Sequence, residues 1–538
     1  MLIEQLVEKT KEELAGELGI EKNRVFFDFG GFADFSTMAV IREAKKTGRD
    51  PVPLAEAIAK KLKIAGLKIK AQNGFLNCHL TEDALRENLE MLFDFSQKGT
   101  DQGQKGTVVI DYSSPNIAKP FSVGHLRSTI IGESLRRLFE LLGWKAIGVN
   151  FIGDWGTQFG KLVAAYKLWG EGREINVKQL FDLYVRFHKE AEKNPELEKL
   201  GREWFRKLED GDEEATEIWK QFKKCSLAEF ERIYKMLGIS KLEDGSESLF
   251  VKGAVELVNE LKQKGIAVED KGAVVIPTTK QIPLLLRKSD GTTIYAARDM
   301  MSAIWRAGRF KPDLMLYVVG NDQKLHFSLL FEGLKKYGLD MEMEHVGFGM
   351  IRLPEGKMST RKGRIVFLED VLDEAVKRVS KTMEARNAYN EDDAKKIGIG
   401  AVKFTDLKTA RTRDVVFTWD MLKTEGETGP YVQYAAVRAR RVLEKFGRAG
   451  EPDKKWQKAE LELARKIVRF RRAVFEAVNK RRPDIVAKWL IETAQAFNDF
   501  YEKNRIEGHP TRQWLSEKFY LAVEKGLYLL GIEVPERM

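Results

Sequence analysis

The sequence has few of the residues that build metal centres and disulfide frameworks, and no long apolar run. Only two cysteines occur in 538 residues, Cys78 and Cys225, and they are far apart without CxxC spacing. This pattern argues against a structural zinc site or disulfides and favours a reducing compartment, so we expect a cytoplasmic protein with no protein-bound structural metal. No apolar stretch reaches the ~18 residues of a membrane span, and the N-terminus lacks the apolar core of a secretion signal. We therefore expect no membrane partner.

The positive charge of the chain is concentrated at its C-terminal end. The formal net charge is +10, and 43% of the residues are hydrophobic, which is typical of a globular protein. Residues 386–538 contain 31 Lys and Arg against 23 Asp and Glu, which accounts for +8 of the +10. A basic segment suits a polyanion such as nucleic acid, although a solvated helical surface has the same composition.

The pattern along the chain predicts a multidomain α/β protein with a Rossmann-type parallel-sheet core. In residues 107–150, an apolar strand, a loop, a helical pattern and a second strand follow one another, which is a βαβ unit. We expect an N-terminal α+β domain over 1–95, the parallel-sheet domain over 105–385 with a helical insertion at about 161–250, and an all-α domain over 386–538. A polar stretch at 97–106 reads as a linker.

The first segment that carries chemistry lies at the predicted strand-to-helix joint, where residues 111–128 read DYSSPNIAKPFSVGHLRS. Ligands of open α/β sheets bind at the carboxyl ends of strands, and a helix start presents unpaired N–H groups to anions. Gly124 permits close approach of a base or phosphate, and His125 is a hydrogen-bond donor beside it. Taken alone, a Gly-His pair at a helix start is more often structural. Residues 156–161, GTQFGK, do not have the P-loop spacing.

The second segment is the cationic stretch KMSTRKGR at residues 357–364. Cationic and hydroxyl side chains in a glycine-bounded loop suit a leaving pyrophosphate, whose charge grows in the transition state. Taken alone, a solvated basic loop is the favoured interpretation.

The two segments together resemble the HIGH and KMSKS signatures of class I aminoacyl-tRNA synthetases. Longer runs are similar to arginyl-tRNA synthetases over the whole chain: SPNIAKP at 114–120, GDWGTQFG at 153–160, YAARD at 295–299, EGETGPYVQYA at 425–435 and GIEVPERM at 531–538. Two positions depart from the signatures. Ser122 stands in place of the first His of HIGH, and Thr360 in place of the second Lys of KMSKS. Lys119 matches a family lysine thought to compensate for the latter.

The resemblance implies the residues that act on ATP, which would be accompanied by Mg²⁺. The implied catalytic residues are His125, Lys119, Lys357 and Ser359. The implied ATP ligands are Ser122, Gly124, His125, Lys119, Met358 and Lys357. Catalysis would consist of positioning and electrostatic stabilisation of the phosphoryl transfer.

Recognition of arginine requires a carboxylate that faces its planar fork of donors. Tyr295 and Asp299 are four residues apart at a predicted helix start and therefore share a face. The resemblance assigns this pair to the guanidinium group. An ordinary salt bridge of Asp299 with Arg298 or Lys311 is the structural alternative.

Three further residues match family positions that contact the amino acid. The resemblance assigns Asp111 and Asn116 to the α-amino group and Gln323 to a further contact, with Asp322 as the alternative aligned residue. The implied small-molecule partners are therefore L-arginine and ATP.

The resemblance also implies tRNA contacts at both ends of the chain. Residues 1–95 resemble the domain that contacts the outer corner of tRNA, and the C-terminal helices resemble the DALR-type anticodon-binding module. The implied contacts are Asn73, Phe75, Asn77, Tyr434, Arg438, Tyr501 and Met538. The sequence alone is equally consistent with Phe75 in a strand core and would class both tyrosines as core residues.

The resemblance implies arginyl-tRNA synthesis by a monomer, with activation that requires bound arginine tRNA. Another class I synthetase, of the cysteinyl or glutamyl type, is an alternative, but the missing zinc-ligand cysteines and the Tyr295–Asp299 pair argue against it. A tRNA-binding protein that has lost catalysis is a third possibility, and Ser122 is the one feature that favours it.

Overall fold

The computed structural model describes residues 1–30, 33–95, 105–172, 175–352, 367–416, 418–447 and 450–538. Contacts divide the chain into two compact units. The first comprises Met1–Phe95, Tyr434–Glu476 and Lys488–Gly526, and the second comprises Ser96–Gln433, Ala477–Ala487 and Leu527–Met538. The domain boundaries predicted from the sequence stay a prediction.

Helices and strands are numbered in chain order. The helices are α1 (Ile3–Leu18), α2 (Ala39–Thr47), α3 (Pro51–Lys61), α4 (Glu82–Glu90), α5 (Val123–Leu141), α6 (Thr157–Trp169), α7 (Val177–Ala191), α8 (Glu196–Asp210), α9 (Glu213–Leu237), α10 (Val251–Gln263), α11 (Tyr295–Phe310), α12 (Lys324–Tyr337), α13 (Leu368–Ala385), α14 (Glu391–Leu407), α15 (Gly429–Phe446), α16 (Lys458–Lys480), α17 (Asp484–Lys503) and α18 (Pro510–Leu529). The strands are β1 (Asp28–Gly30), β2 (Ala33–Thr37), β3 (Leu67–Gln72), β4 (Phe75–Leu80), β5 (Thr107–Asp111), β6 (Lys145–Asn150), β7 (Glu243–Asp244), β8 (Val268–Asp270), β9 (Ala273–Ile276), β10 (Leu284–Arg287), β11 (Leu314–Tyr317), β12 (Glu342–His345), β13 (Ile351–Arg352) and β14 (Val415–Val416).

A five-stranded parallel sheet forms the centre of the second unit, with the strand order β12-β11-β5-β6-β7. The predicted βαβ unit is confirmed as β5, α5 and β6. Strand β6 lies on one side of β5 and β11 lies on the other side, so the strand order reverses between β5 and β11. Such a switch point opens a crevice at the carboxyl ends of the two strands. The residues that end them, Asp111 and Tyr317, are paired in register.

The core under this crevice joins the sheet to three helices. Val109, Val149 and Met315 of the sheet pack with apolar residues of α10, α11 and α12. All four residues of β11 are buried, as expected of a strand covered on both faces. The core therefore fixes α11 against the carboxyl edge of β5 and β11, where the first turns of α11 reach the crevice.

Three further strands of this unit form a separate antiparallel sheet. The apolar runs at 272–277 and 282–287 contain β9 and β10, which pair with each other, and β8 lies on the other side of β9. The charged region after residue 161 is helical, as its pattern predicts, and contains α7, α8 and α9.

The first unit combines a four-stranded antiparallel sheet with helices from near the C-terminus. The strand order is β1-β2-β4-β3, and one face covers a core that contains Leu14, Val40 and Ile58. In α16, the buried Arg471 pairs with Glu4 at 3.3 Å. The long helical patterns predicted after residue 391 are confirmed by α14 to α18. No helix in the described part of the chain is both long and apolar enough to cross a membrane.

Candidate functional site

The loop that follows β5 has an unusual backbone. Three non-glycine residues adopt left-handed φ angles: Ser113 (75°), Ser114 (48°) and Ala118 (59°). Such conformations persist only where the surroundings impose them, and they cluster at functional sites. Here the backbone N–H groups of these residues donate to Ser128 Oγ at 2.9 Å, Asn150 Oδ1 at 3.0 Å and Ser226 Oγ at 2.9 Å, respectively. The loop is thus held in one shape between β5 and the start of α5.

The start of α5 holds the predicted ATP ligands in a defined hydrogen-bond arrangement. Ser122 is the N-cap residue, and its backbone N–H donates to His125 Nδ1 at 3.1 Å. Because Nδ1 accepts this bond, the proton of a neutral imidazole lies on Nε2. The Ser122 hydroxyl also lies 3.1 Å from Nδ1, and Gly124 is exposed in the first turn.

His125 is held in its neutral form. Burial, with a smaller contribution from the charge of Lys119, lowers the pKa of His125 from 6.5 to about 4. Its ring centroid is 5.2 Å from that of Phe121. At neutral pH, His125 is therefore an uncharged side chain whose Nε2–H can donate to an anion.

Lys119 lies on the side of the loop that faces α6 and α7. Its ammonium donates to Gln158 Oε1 at 3.1 Å and lies 5.0 Å from the centroid of the Tyr184 ring. Its charge contributes to the lowered pKa of His125, so the two side chains lie within electrostatic range of each other.

The second signature segment falls outside the described residues, and with it Lys357, Met358 and Ser359. The described residues that flank it are attached to α5. The carbonyl of Gly349 accepts from the buried Arg127 at 2.8 Å, and Phe367 forms an antiparallel bridge with Ser122. Both flanks therefore contact the first two turns of the helix that carries His125.

Asp299 and Tyr295 form one wall of an acidic slot, which also includes His326 at the start of α12. Asp299 Oδ2 lies 2.7 Å from His326 Nε2, and the Asp299 side chain is 18% exposed. The Tyr295 ring packs on the His326 ring with centroids 4.9 Å apart, and Tyr295 is 52% exposed. Asp299 Oδ1 receives no hydrogen bond from a described residue. The Tyr295 side chain is thus accessible, and one oxygen of the Asp299 carboxylate has no partner among the described residues.

The salt bridges proposed as the structural alternative for Asp299 are absent among the described residues. Arg298 instead pairs with Glu247 at 2.6 Å. Lys311 is the C-cap residue of α11, at the opposite end of that helix. His326 is therefore the neighbour that fixes the Asp299 carboxylate.

Asp111, at the end of β5, is buried beside a second charged residue of α11. Its Oδ2 lies 2.8 Å from Nη1 of Arg306, and its Oδ1 accepts from the Ser114 hydroxyl at 3.1 Å. Arg306 is only 1% exposed. This ion pair connects the end of β5 to α11.

Tyr317, at the end of β11, lies close to both acidic residues. Burial raises its pKa to about 12; Arg306 opposes this shift, while Asp111 and Asp299 add to it. Both carboxylates are therefore within electrostatic range of one phenol at the end of β11.

The other predicted amino-acid contacts lie at the edges of this site. Asn116 forms a parallel bridge with Gly153, where an added Cβ would lie 2.0 Å from Asn116 Oδ1. Gln323 ends a short 3-10 helix just before α12 and is exposed, as is Asp322. The structure brings Asn116 to the loop after β5 and Gln323 to the loop after β11.

The predicted contacts of the N-terminal domain share one face of a hairpin. Asn73, with φ 50°, and Gly74 form the turn between β3 and β4. Phe75 and Asn77 are half-buried and alternate with buried core residues of β4. The exposed Lys70 is the cross-strand partner of Asn77. Phe75 therefore lies on the sheet face opposite the core.

Three predicted contacts of the helical module form an aromatic sandwich around a cation. The Arg438 guanidinium lies 4.5 Å from the Tyr434 ring centroid and 5.2 Å from that of Tyr501. It also donates to Asn498 Oδ1 at 3.1 Å. Tyr501 is 38% exposed, so the outer ring is accessible.

Met538 belongs to the second unit and packs on a small apolar cluster that includes Val379 and Met383. The backbone N–H groups just before it, of Glu536 and Arg537, donate to Asp393 at 2.6 and 3.1 Å. The C-terminal segment is therefore held in a defined position.

Two residues of the site were missed by sequence reasoning. His326 is one of six histidines, and its place three residues after Gln323 was the available signal. Arg306 lies two helical turns after Asp299, and nothing in its spacing distinguished it from the other basic residues of α11. In the described part of the chain, no group of three or more His, Cys, Asp or Glu side chains could hold a metal ion.

Comparison with known proteins identifies the family of the chain. The family model described as "tRNA synthetases class I (R), catalytic domain" matches residues 89–419, and the "DALR anticodon binding domain" matches residues 432–538. Arginine--tRNA ligase 2 of Bacillus anthracis is 41% identical over 534 residues, with 94% of each chain covered. The arginine--tRNA ligase of an Exiguobacterium species is 40% identical, with 100% of this chain and 96% of the relative covered.

Solved structures share the fold. The arginyl-tRNA synthetase of Thermus thermophilus superposes with a TM-score of 0.84 at 24% identity and full coverage of both chains. That of Plasmodium falciparum gives the same score and identity, with 99% of this chain and 98% of the other covered. Because the relatives match over nearly the whole length and both domain models match, the chain belongs to the arginyl-tRNA synthetase family of class I.

Proposed function

We propose that this enzyme activates L-arginine with ATP and transfers it to the 3′ end of its cognate tRNA, with release of AMP and pyrophosphate. The observation that carries the proposal is the acidic slot, formed by Tyr295, Asp299 and His326 beside Asp111 at the sheet switch point, in a chain of this family. Mg²⁺ accompanies ATP. The enzyme acts as a monomer in the cytoplasm, where its tRNA substrate is used.

The slot suits the arginine side chain in charge and shape. A guanidinium presents its donors in one plane, and a carboxylate edge accepts two of them in parallel. Asp299 supplies this edge, since only its Oδ2 is engaged by His326. The Tyr295 oxygen accepts a further bond. Lysine has a compact ammonium group that cannot satisfy both acceptors at once.

The opposite end of arginine lies toward β5. Asp111 and Asn116 bind its α-amino group, and Gln323 makes a further contact from the loop after β11. This orientation directs the carboxylate of the substrate toward the start of α5, where the triphosphate lies near Gly124 and His125.

Activation proceeds by in-line attack of the arginine carboxylate on the α-phosphorus of ATP. A P–O bond forms, and the bond to the bridging oxygen of pyrophosphate breaks. His125 donates a hydrogen bond from Nε2 without transfer of its proton, since its pKa of about 4 keeps it neutral. Lys119, Lys357 and Ser359 stabilise the growing negative charge, while Ser122 and Met358 bind ATP.

In the transfer step, the terminal ribose hydroxyl of tRNA attacks the activated carbonyl and AMP leaves. Asn73, Phe75 and Asn77 bind one region of the tRNA. The sandwich of Tyr434, Arg438 and Tyr501 stacks with unpaired bases, and Met538 adds an apolar contact.

The test is pyrophosphate exchange in which arginine, ATP and tRNA are each omitted in turn. We expect exchange only when all three are present. Exchange with another amino acid in place of arginine would assign the chain to a different class I synthetase. Tight tRNA binding without exchange would identify a binding protein that has lost catalysis.

A further inference from the structure

Arg306 is a buried cation of α11 that no step above uses. Its guanidinium is 5.5 Å from the ring centroid of Tyr317 and 5.7 Å from that of Phe151. With 1% of its surface exposed, it has no access to solvent that would stabilise its charge. A buried charge of this kind requires a partner.

That partner is Asp111, at 2.8 Å from Nη1. The bond is made by one nitrogen of the guanidinium, while Nε and Nη2 have no hydrogen-bond partner among the described residues. A simple structural ion pair of an arginine would be expected to use more of its donors. The position of the Asp111 carboxylate, which also accepts a hydrogen bond from Ser114, instead determines which nitrogen of Arg306 forms the ion pair.

The charges in the site balance only when Arg306 is included. Asp111 and Asp299 both act on Arg306, and the three together carry a net charge of −1. Arginine, with a guanidinium, an α-ammonium and a carboxylate, carries +1. Without Arg306 the two acidic residues would exceed the charge of the substrate.

We propose that Arg306 is a positioning residue that holds the Asp111 carboxylate in the correct orientation for the α-ammonium group of arginine. This inference rests on the proposed function, in which Asp111 is the α-amino ligand. It adds that recognition of the α-amino group depends on a side chain that does not touch the substrate.

The consequence of losing the cation follows from burial. Asp111 is 6% exposed, and the groups that face it are Arg306 and Asp299 of α11, Tyr317 of β11 and Ser114 of its own loop. Among the described residues that face it, only Arg306 is positive. In Arg306→Gln, the Asp111 carboxylate therefore loses its ion pair and its fixed orientation, and it accepts less well from the α-ammonium.

The experiment measures binding of arginine and of 5-guanidinopentanoate, which lacks only the α-amino group, to the full-length enzyme. Arg306→Gln should weaken arginine binding by about tenfold or more, as expected for a lost hydrogen bond to a charged group. Binding of the analogue should change by less than about threefold, since it makes no such bond.

Arg309→Gln is the matched control, because Arg309 is exposed on the same helix and pairs with Glu243 at 3.1 Å. It should leave the preference for arginine over the analogue unchanged. In Asp111→Asn/Arg306→Gln the preference should also be low. Equal weakening of both ligands in Arg306→Gln would overturn the inference.

A second variant covers the case in which Arg306→Gln does not fold. Arg306→Lys retains the positive charge and should retain the preference for arginine within about threefold. A loss of preference in the folded Lys variant would reject the role of the charge. Charging of tRNA by the unmodified enzyme in the same series tests the proposed function itself, so the two failures are distinguishable.

Discussion

Replacement of Asp299 by Asn isolates the charge that we propose binds the guanidinium. The substitution keeps the size of the side chain and an oxygen that can remain near His326, at the position now 2.7 Å from Nε2. It removes the negative charge and replaces one acceptor with a donor. The guanidinium fork would then meet an N–H group that repels one of its own.

The size of the effect follows from Coulomb attraction in a partly exposed site. Two unit charges ~4 Å apart interact by about 4 kcal/mol at the effective dielectric constant of a protein surface. The Asp299 side chain is 18% exposed, and solvent therefore screens part of this attraction. The expected loss of binding free energy is roughly 2–4 kcal/mol. A roughly 30-fold to 1,000-fold rise in the KM for arginine is expected, at about 1.4 kcal/mol per factor of ten.

The assay is arginine-dependent pyrophosphate exchange at saturating ATP and tRNA. The KM for ATP should change little, because Asp299 lies in the slot for the amino acid. Asp210→Asn is the control, since this carboxylate is 71% exposed at the end of α8. A normal arginine KM in Asp299→Asn would refute the assignment of the slot.

Three further predictions concern other parts of the enzyme. The pKa of His125 is about 4 in the folded chain and ordinarily 6.5, so between these pH values the unfolded chain binds one more proton than the folded chain. The free energy of unfolding should therefore fall by up to about 3 kcal/mol as the pH drops from 6.5 to 4. Denaturant titrations of His125→Gln should lack this part of the fall. Phe75→Ala should raise the KM for tRNA without changing that for arginine, whereas Phe26→Ala, at a 62% exposed position, should change neither in charging assays. Arg127→Met should reduce stability by about 3–5 kcal/mol because Asp406, 3.0 Å away and buried, is left unpaired; the denaturation midpoint should partly recover in the double variant with Asp406→Leu.

Apolar runs and their connections predict much of the fold. The strand at 107–111 and the helix after 123 were identified because buried parallel strands are continuous apolar runs and helices have a different period. The antiparallel pairing of β9 and β10 could not be predicted from apolar runs and periodicity. Period and length describe one segment, whereas pairing depends on which edges the rest of the chain leaves open.

The site was predictable where its residues are close in sequence. The four-residue spacing of Tyr295 and Asp299 places both on one face of α11, and their family likeness supplied the role. The partners that complete the site are distant in sequence: His326 comes from another helix, and Arg306 reaches β5 across the sheet edge. Such pairs are properties of tertiary packing and leave no local pattern.

The tRNA contacts show the same limit. The alternation of buried and half-buried residues in β4 resolves the side of the sheet on which Phe75 lies. The sandwich of Arg438 between two tyrosines joins residues more than 60 positions apart, because Tyr434 and Tyr501 lie on different helices. The exposure of Tyr501, rather than its residue type, makes it a candidate for base stacking.

The most direct test of the central claim is an experimental structure of the full-length enzyme with L-arginine bound. The guanidinium should lie within hydrogen-bond distance of Asp299 and Tyr295, and the α-ammonium beside Asp111, with the carboxylate directed toward the start of α5. A bound arginine with its guanidinium at Asp111, or one outside the crevice between β5 and β11, would contradict the account.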